Sequence, residues 1–215
     1  MKKFPTVILL GVIALFAGGC IGATANLMYM LHGLKIDAEY EGLEGSRVAV
    51  VVVSDASSYG PDTLTNVVGQ AMALRLAQQV DDITLIPQNV IENWKDTHGW
   101  DQVDFREIGK GVNAEKVLAI DIGSYSIHEG TTLFKGRSML TTTVYDLEDN
   151  GNVVFAQGPA EFSFPKTHAR PAMSTNEREF ESVFIAKMVD YVTRNFYAYD
   201  KAEAVAEDAT GIDFR

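Results

Sequence analysis

From Arg47 the chain reads Arg-Val-Ala-Val-Val-Val-Val, with no polar side chain after the first residue. Side chains of a strand alternate between its two faces, so a run of this kind is buried on both and needs a covering layer on each side of its sheet. It is short and dominated by β-branched valine, which favours a strand over a buried helix. The run predicts a central strand, and the segments around it must supply the layers.

After the turn signal Tyr59-Gly60-Pro61-Asp62, apolar residues recur at Leu64, Val67, Val68, Ala71, Leu74 and Ala77. That three-and-four spacing is a helix stripe, with Asp62 or Thr63 as its N-cap. Residues 83–86 read as a second short strand, Pro87 opens a helix to about Lys95, and residues 103–111 form another, stopped by Gly111. Val117-Leu-Ala-Ile-Asp-Ile122 starts a third strand, again nearly all apolar, and belongs beside the first in the middle of the sheet. The pattern then changes. Residues 133–145 and 153–157 alternate in side-chain type around Asp149-Asn150-Gly151, a strong signal for a tight antiparallel hairpin near an edge. Ser174 with Glu177 three residues later reads as a capping box for a last helix, whose stripe is Phe180, Val183, Phe184, Met188, Tyr191, Val192 and Phe196. The fold class expected is α/β: a single two-layer or three-layer domain with a mixed sheet, central parallel strands and an antiparallel hairpin edge.

The first thirty residues belong to none of this. Met1-Lys2-Lys3 is a short positive region, and no charged residue occurs from Phe4 to Leu31. Such a segment meets a membrane, either as a signal peptide ending before Cys20 or as an uncleaved apolar helix. Ala17-Gly18-Gly19-Cys20 resembles a bacterial lipobox, and Cys20 is the only thiol of the chain. One cysteine also removes internal disulfides and Cys-based zinc sites. The expected division is residues 1–19 signal peptide, 20–46 lipid anchor and linker, 47–199 α/β domain and 200–215 a mobile acidic tail. The chain has 18 Lys plus Arg against 29 Asp plus Glu, a formal charge of −11. A phosphate backbone is repelled by that balance, so no nucleic-acid partner is expected.

Catalytic patterns are sparse. Ser54-Asp55-Ala56-Ser57-Ser58 follows the first strand, but no Gly-x-Ser-x-Gly elbow holds a serine there, and clusters of Ser and Asp in loops chiefly bond their own backbone. His128-Glu129 lacks metal-ligand spacing to any partner, and neither a metal nor another cofactor is expected. Ser58-Tyr-Gly-Pro-Asp-Thr63 offers one glycine and an unwelcome carboxylate where a phosphate cradle needs several exposed amides. If the first and third strands are parallel neighbours, their carboxyl ends point the same way. They then bring Ser54, Asp55, Ser57 and Ser58 to one sheet edge with His128 and Glu129 as a partner-facing surface. The alternative use of those groups is a small hydrolase built from the Ser54–Ser58 loop with His128.

The order of elements, with Gly111-Val112-Asn113-Ala114-Glu115-Lys116-Val117-Leu118 entering a central strand and Asp146-x-x-x-Asn150-Gly151-x-Val153-Val154 forming a hairpin, resembles a group of bacterial envelope lipoproteins. These are the relatives of the curli-secretion lipoprotein, the activators of penicillin-binding proteins and the amino-terminal domain of TolB. The resemblance runs from about Arg47 to Tyr199. It implies a non-enzymatic, membrane-anchored module outside the cytoplasm, on the periplasmic face, that binds other envelope proteins or itself.

Overall fold

The structure, a computed structural model, describes residues 35–54, 63–98, 104–166 and 168–202. In chain order the elements are β1 (Lys35–Ile36), β2 (Arg47–Ser54), α1 (Thr63–Gln79), β3 (Thr84–Leu85), α2 (Gln88–His98), α3 (Phe105–Gly111), β4 (Lys116–Glu129), β5 (Leu133–Asp146), β6 (Asn152–Phe164), β7 (Arg170–Pro171), α4 (Glu177–Thr193), a 3₁₀ turn (Arg194–Phe196) and β8 (Tyr199–Asp200). The main sheet is mixed, in the order β3-β2-β4-β5-β6, with β7 on β5; β1 and β8 form a separate antiparallel pair. The α/β class, the parallel centre and the antiparallel hairpin edge are as the sequence predicts.

β2 and β4 are parallel neighbours in register from Val48 opposite Lys116 to Ser54 opposite Ile122. The valine run divides by parity. Val48, Val50 and Val52 join Leu118 and Ile120 under α1 and α4, while Ala49 and Val51 pack on the other face with Ile91 of α2 and Ile108 of α3. Two layers of helix therefore sandwich the parallel part, which is why β2 carries no polar side chain from Val48 to Val53.

Beyond Ile122 the sheet is covered on one side only. On β5, Phe134, Ser138 and Leu140 are buried while Arg137 and Met139 are exposed. The buried face meets an aromatic layer: Phe134 lies on Phe180 (5.4 Å between centroids), and Phe162 on Phe184 (5.8 Å). Gly136 is required here, since a Cβ on it would come within 2.2 Å of the Phe184 ring. The predicted tight turn forms between β5 and β6, with Asn150 (φ 54°) and Gly151 (φ 74°) both left-handed, the backbone that the Asn-Gly pair adopts most readily.

β4 runs on to Glu129, because after Ile122 only one of its faces is covered and polar residues can occupy the other. Three readings are corrected. β6 continues past Gln157 to Phe164: Gly158 and Pro159 are accommodated as a bulge opposite Thr141, and a further register shift leaves Val154 as an extra residue. The N-cap of α4 is Asn176, whose side chain accepts from the Glu179 amide at 3.2 Å, while Ser174 donates to the Pro171 carbonyl. On α1, the buried residues are Thr65, Val68, Gly69, Met72 and Leu76, whereas Val67 and Leu74 of the expected stripe face outward at 44% and 62% exposure.

Candidate interaction surface

The β4–β5 hairpin end carries the two predicted site residues that the structure describes most fully. His128 lies opposite Phe134, and its ring packs edge-on against that phenyl at 5.2 Å. Its Nε2 is 3.5 Å from Oε1 of Glu177, the first residue of α4. Glu129 forms an ion pair with Arg137 across the hairpin. Both pairs are substantially exposed, so each contributes little to stability and much to the polarity of the surface. The Ser126 hydroxyl is 3.4 Å from the His128 backbone amide and carbonyl. The partners Arg137 and Glu177 were not legible from spacing: the bulge at Ile127 sets the hairpin register, and Glu177 arrives from a distant helix.

Ser54 is buried at the end of β2, opposite Ile122. The carboxyl ends of β2 and β4 do point the same way. However, His128 stands six residues past Ile122, roughly 20 Å along the strand at ~3.3 Å per residue. Asp55, Ser57, Ser58 and Cys20 lie outside the described residues. Among the described residues, then, the hairpin pair and the start of the serine loop sit at different levels of the sheet.

A second polar contact lies beneath the hairpin. The Tyr125 hydroxyl donates to Glu181 Oε1 of α4 at 3.1 Å. Burial, and then the Glu181 charge and that hydrogen bond, push the phenol well above its usual range, so it is a fixed donor rather than a base. At the opposite end of β4, Lys116 Nζ and Asp146 Oδ2 are 2.8 Å apart in a mostly covered ion pair. The Lys116 hydrogen bond holds the Asp146 carboxyl below the usual range against its partial burial, aided by the Asp149 and Glu148 amides. Burial works against the Lys116 charge, but the hydrogen bond and the Asp146 charge outweigh it and raise its pKa.

His98 stacks on Trp94 at 4.2 Å. Phe196 and Tyr197 are buried, and Phe196 meets Tyr40 and Phe155 at the core edge. Among the described residues no group of three or more His, Cys, Asp or Glu is placed to hold a metal ion. Among the same residues no helix is long and apolar enough to cross a membrane.

Compared with known protein families and with curated proteins, the chain finds no match. Solved structures do resemble it. The lipoprotein GNA1162 of Neisseria meningitidis is 14% identical over 68% of this chain and 97% of its own, with a TM-score of 0.43. The PelC dodecamer of Paraburkholderia phytofirmans gives 14%, 76%, 95% and 0.42 in the same order. A minor lipoprotein of Acinetobacter baumannii gives 12%, 69%, 89% and 0.32. Bacterial lipoproteins thus stand among the structures that this chain resembles.

Proposed function

We propose that the protein is an envelope lipoprotein: a non-enzymatic interaction or assembly module, attached to a membrane through Cys20 and facing the periplasm. The observation that carries the reading is the charge-free stretch from Phe4 to Leu31 with the lone thiol placed directly after Ala17-Gly18-Gly19. Cleavage before Cys20 removes Lys2 and Lys3, leaving 16 basic against 29 acidic residues, a mature charge of −13. A surface of that sign does not adsorb to anionic lipid, so the anchor itself must hold the chain. Residues 20–46 serve as anchor and linker to the α/β domain.

Within this reading His128 and Glu129 belong to a partner-facing patch at the hairpin end, and Ser54, Asp55, Ser57 and Ser58 are assigned to partner contact as well. The hydrolase alternative finds less support, because among the described residues the His128 ring meets Glu177 and Phe134, and Ser54 lies far from it along the sheet. The test is metabolic labelling with a fatty acid. Label should enter the wild-type protein and be absent from Cys20→Ala; equal labelling of both, or a mature chain that still begins at Met1, rejects the lipoprotein reading in favour of a spanning helix.

A further inference from the structure

The outward side of α1 is unlike the rest of this acidic surface. The helix, Thr-Leu-Thr-Asn-Val-Val-Gly-Gln-Ala-Met-Ala-Leu-Arg-Leu-Ala-Gln-Gln, holds one charged residue in its seventeen. That residue, Arg75, turns toward the body of the domain, where its Nε lies 3.1 Å from Asp190 Oδ1 and 3.3 Å from the Tyr197 hydroxyl. Val67, Gln70, Leu74 and Ala77 are all exposed and follow one another at spacings of three and four residues. This is the alternation of a helix-pairing seam, with apolar Val67 and Leu74 in equivalent positions one heptad apart. By contrast, the exposed residues of α4 include Glu177, Arg178 and Glu179, and those of α2 include Asp96.

Charge decides which occupant fits. In a two-fold contact the same patch serves both copies, so a charge near the axis meets its own like charge. Two chains of formal charge −11 repel over most of their surfaces. The α1 seam carries no charge from Val67 to Ala77, about 15 Å at 1.5 Å per residue. Another feature open to self-pairing, the outer edge of β6, is broken by its two bulges, a common way of preventing edge-to-edge association.

We infer that α1 is a self-association surface, which pairs with α1 of a second copy through Val67, Gln70, Leu74 and Ala77. The inference rests on the reading of the protein as a membrane-attached interaction module. A seam of one helix is smaller than a standard interface, and tethering both copies to one membrane supplies the effective concentration it needs.

The test is cross-linking of the full-length protein in isolated membranes with a bis-maleimide. Gln70→Cys lies near the middle of the helix and meets its counterpart whether the helices run parallel or antiparallel. It should give a covalent dimer. The unmodified protein, which has Cys20 alone, and Met173→Cys, at a fully exposed loop site, should not. Adding Leu74→Glu to Gln70→Cys should reduce the dimer by about tenfold or more, because like charges brought together at a contact strongly oppose association. Leu74 is exposed, so the melting temperature of that variant should be unchanged. No more dimer from Gln70→Cys than from Met173→Cys, or a dimer indifferent to Leu74→Glu, overturns the inference. Neither result bears on fatty-acid labelling at Cys20, so the two readings fail separately.

Discussion

The two halves of the main sheet share strand β4 but are built on different terms. From Lys116 to Ile122, β4 lies beside β2 with helices on both faces, and five of its seven residues are buried hydrophobics. From Gly123 to Glu129 it lies in an antiparallel hairpin with helix cover on one face, and Ile127 is the only buried hydrophobic. A single strand thus changes its composition at the point where the second helix layer ends. Burial, rather than strand propensity, sets the pattern.

Charge scanning should break this comparison most severely. Val50→Asp and Val51→Asp, on opposite faces of β2, should each cost several kcal/mol, since either buries an unpaired carboxylate. On β5 the same treatment should divide by parity: Leu140→Asp should unfold the domain, while Met139→Lys, on the open face opposite Glu161, should be nearly neutral. Chemical denaturation of the four variants checks this. Equal tolerance at Val51 and Met139 would mean that the second helix layer does not shield the parallel half.

Phe184→Ala should come next, at about 3–5 kcal/mol by the same measurement, because it removes a fully buried ring from the single layer on which the antiparallel half depends.

The ion pair at the far end of the parallel half should respond to pH. Asp146 is held low, so its contribution is present above the usual carboxylate value of about 3.9 and is lost as pH falls through its lower folded value. Lys116 is held high, so its contribution is present below about 10.4 and is lost as pH rises through its higher folded value. Lys116→Met should therefore cost about 1.5–3 kcal/mol at neutral pH, the range for hydrogen bonds to charged groups. The difference from wild type should shrink toward the acid limb of a stability profile. A constant difference across that limb would show that the lysine acts through packing alone.

The smallest effect separates two caps. Asn176→Ala should lower stability by about 1 kcal/mol, and Ser174→Ala should leave it almost unchanged, in thermal melts run side by side.

Much of the architecture was legible because burial leaves a direct imprint on sequence. The double-sided run at β2, its apolar neighbour in β4 and the Asn150-Gly151 turn each carry their own physical reason. What escaped was set by tertiary context. Val67 and Leu74 share the helical spacing of the true core positions Val68, Met72 and Leu76, and periodicity cannot tell which side of an apolar helix faces inward. Gly158-Pro159 reads as a strand end and is instead a bulge within β6. The pairing of β1 with β8, which brings Lys35 opposite Asp200, joins two-residue segments too short to carry any pattern. His128 and Glu129 were visible as polar residues at a strand end, but their partners Glu177 and Arg137 depend on helix placement and a bulge.

The most direct test of the membrane-attached lipoprotein reading is the intact mass of the protein purified from its own envelope. The predicted result is a chain that starts at Cys20 with a diacylglycerol-type adduct on that residue. An unmodified chain beginning at Met1, or a mature chain with a free Cys20 thiol, would contradict it.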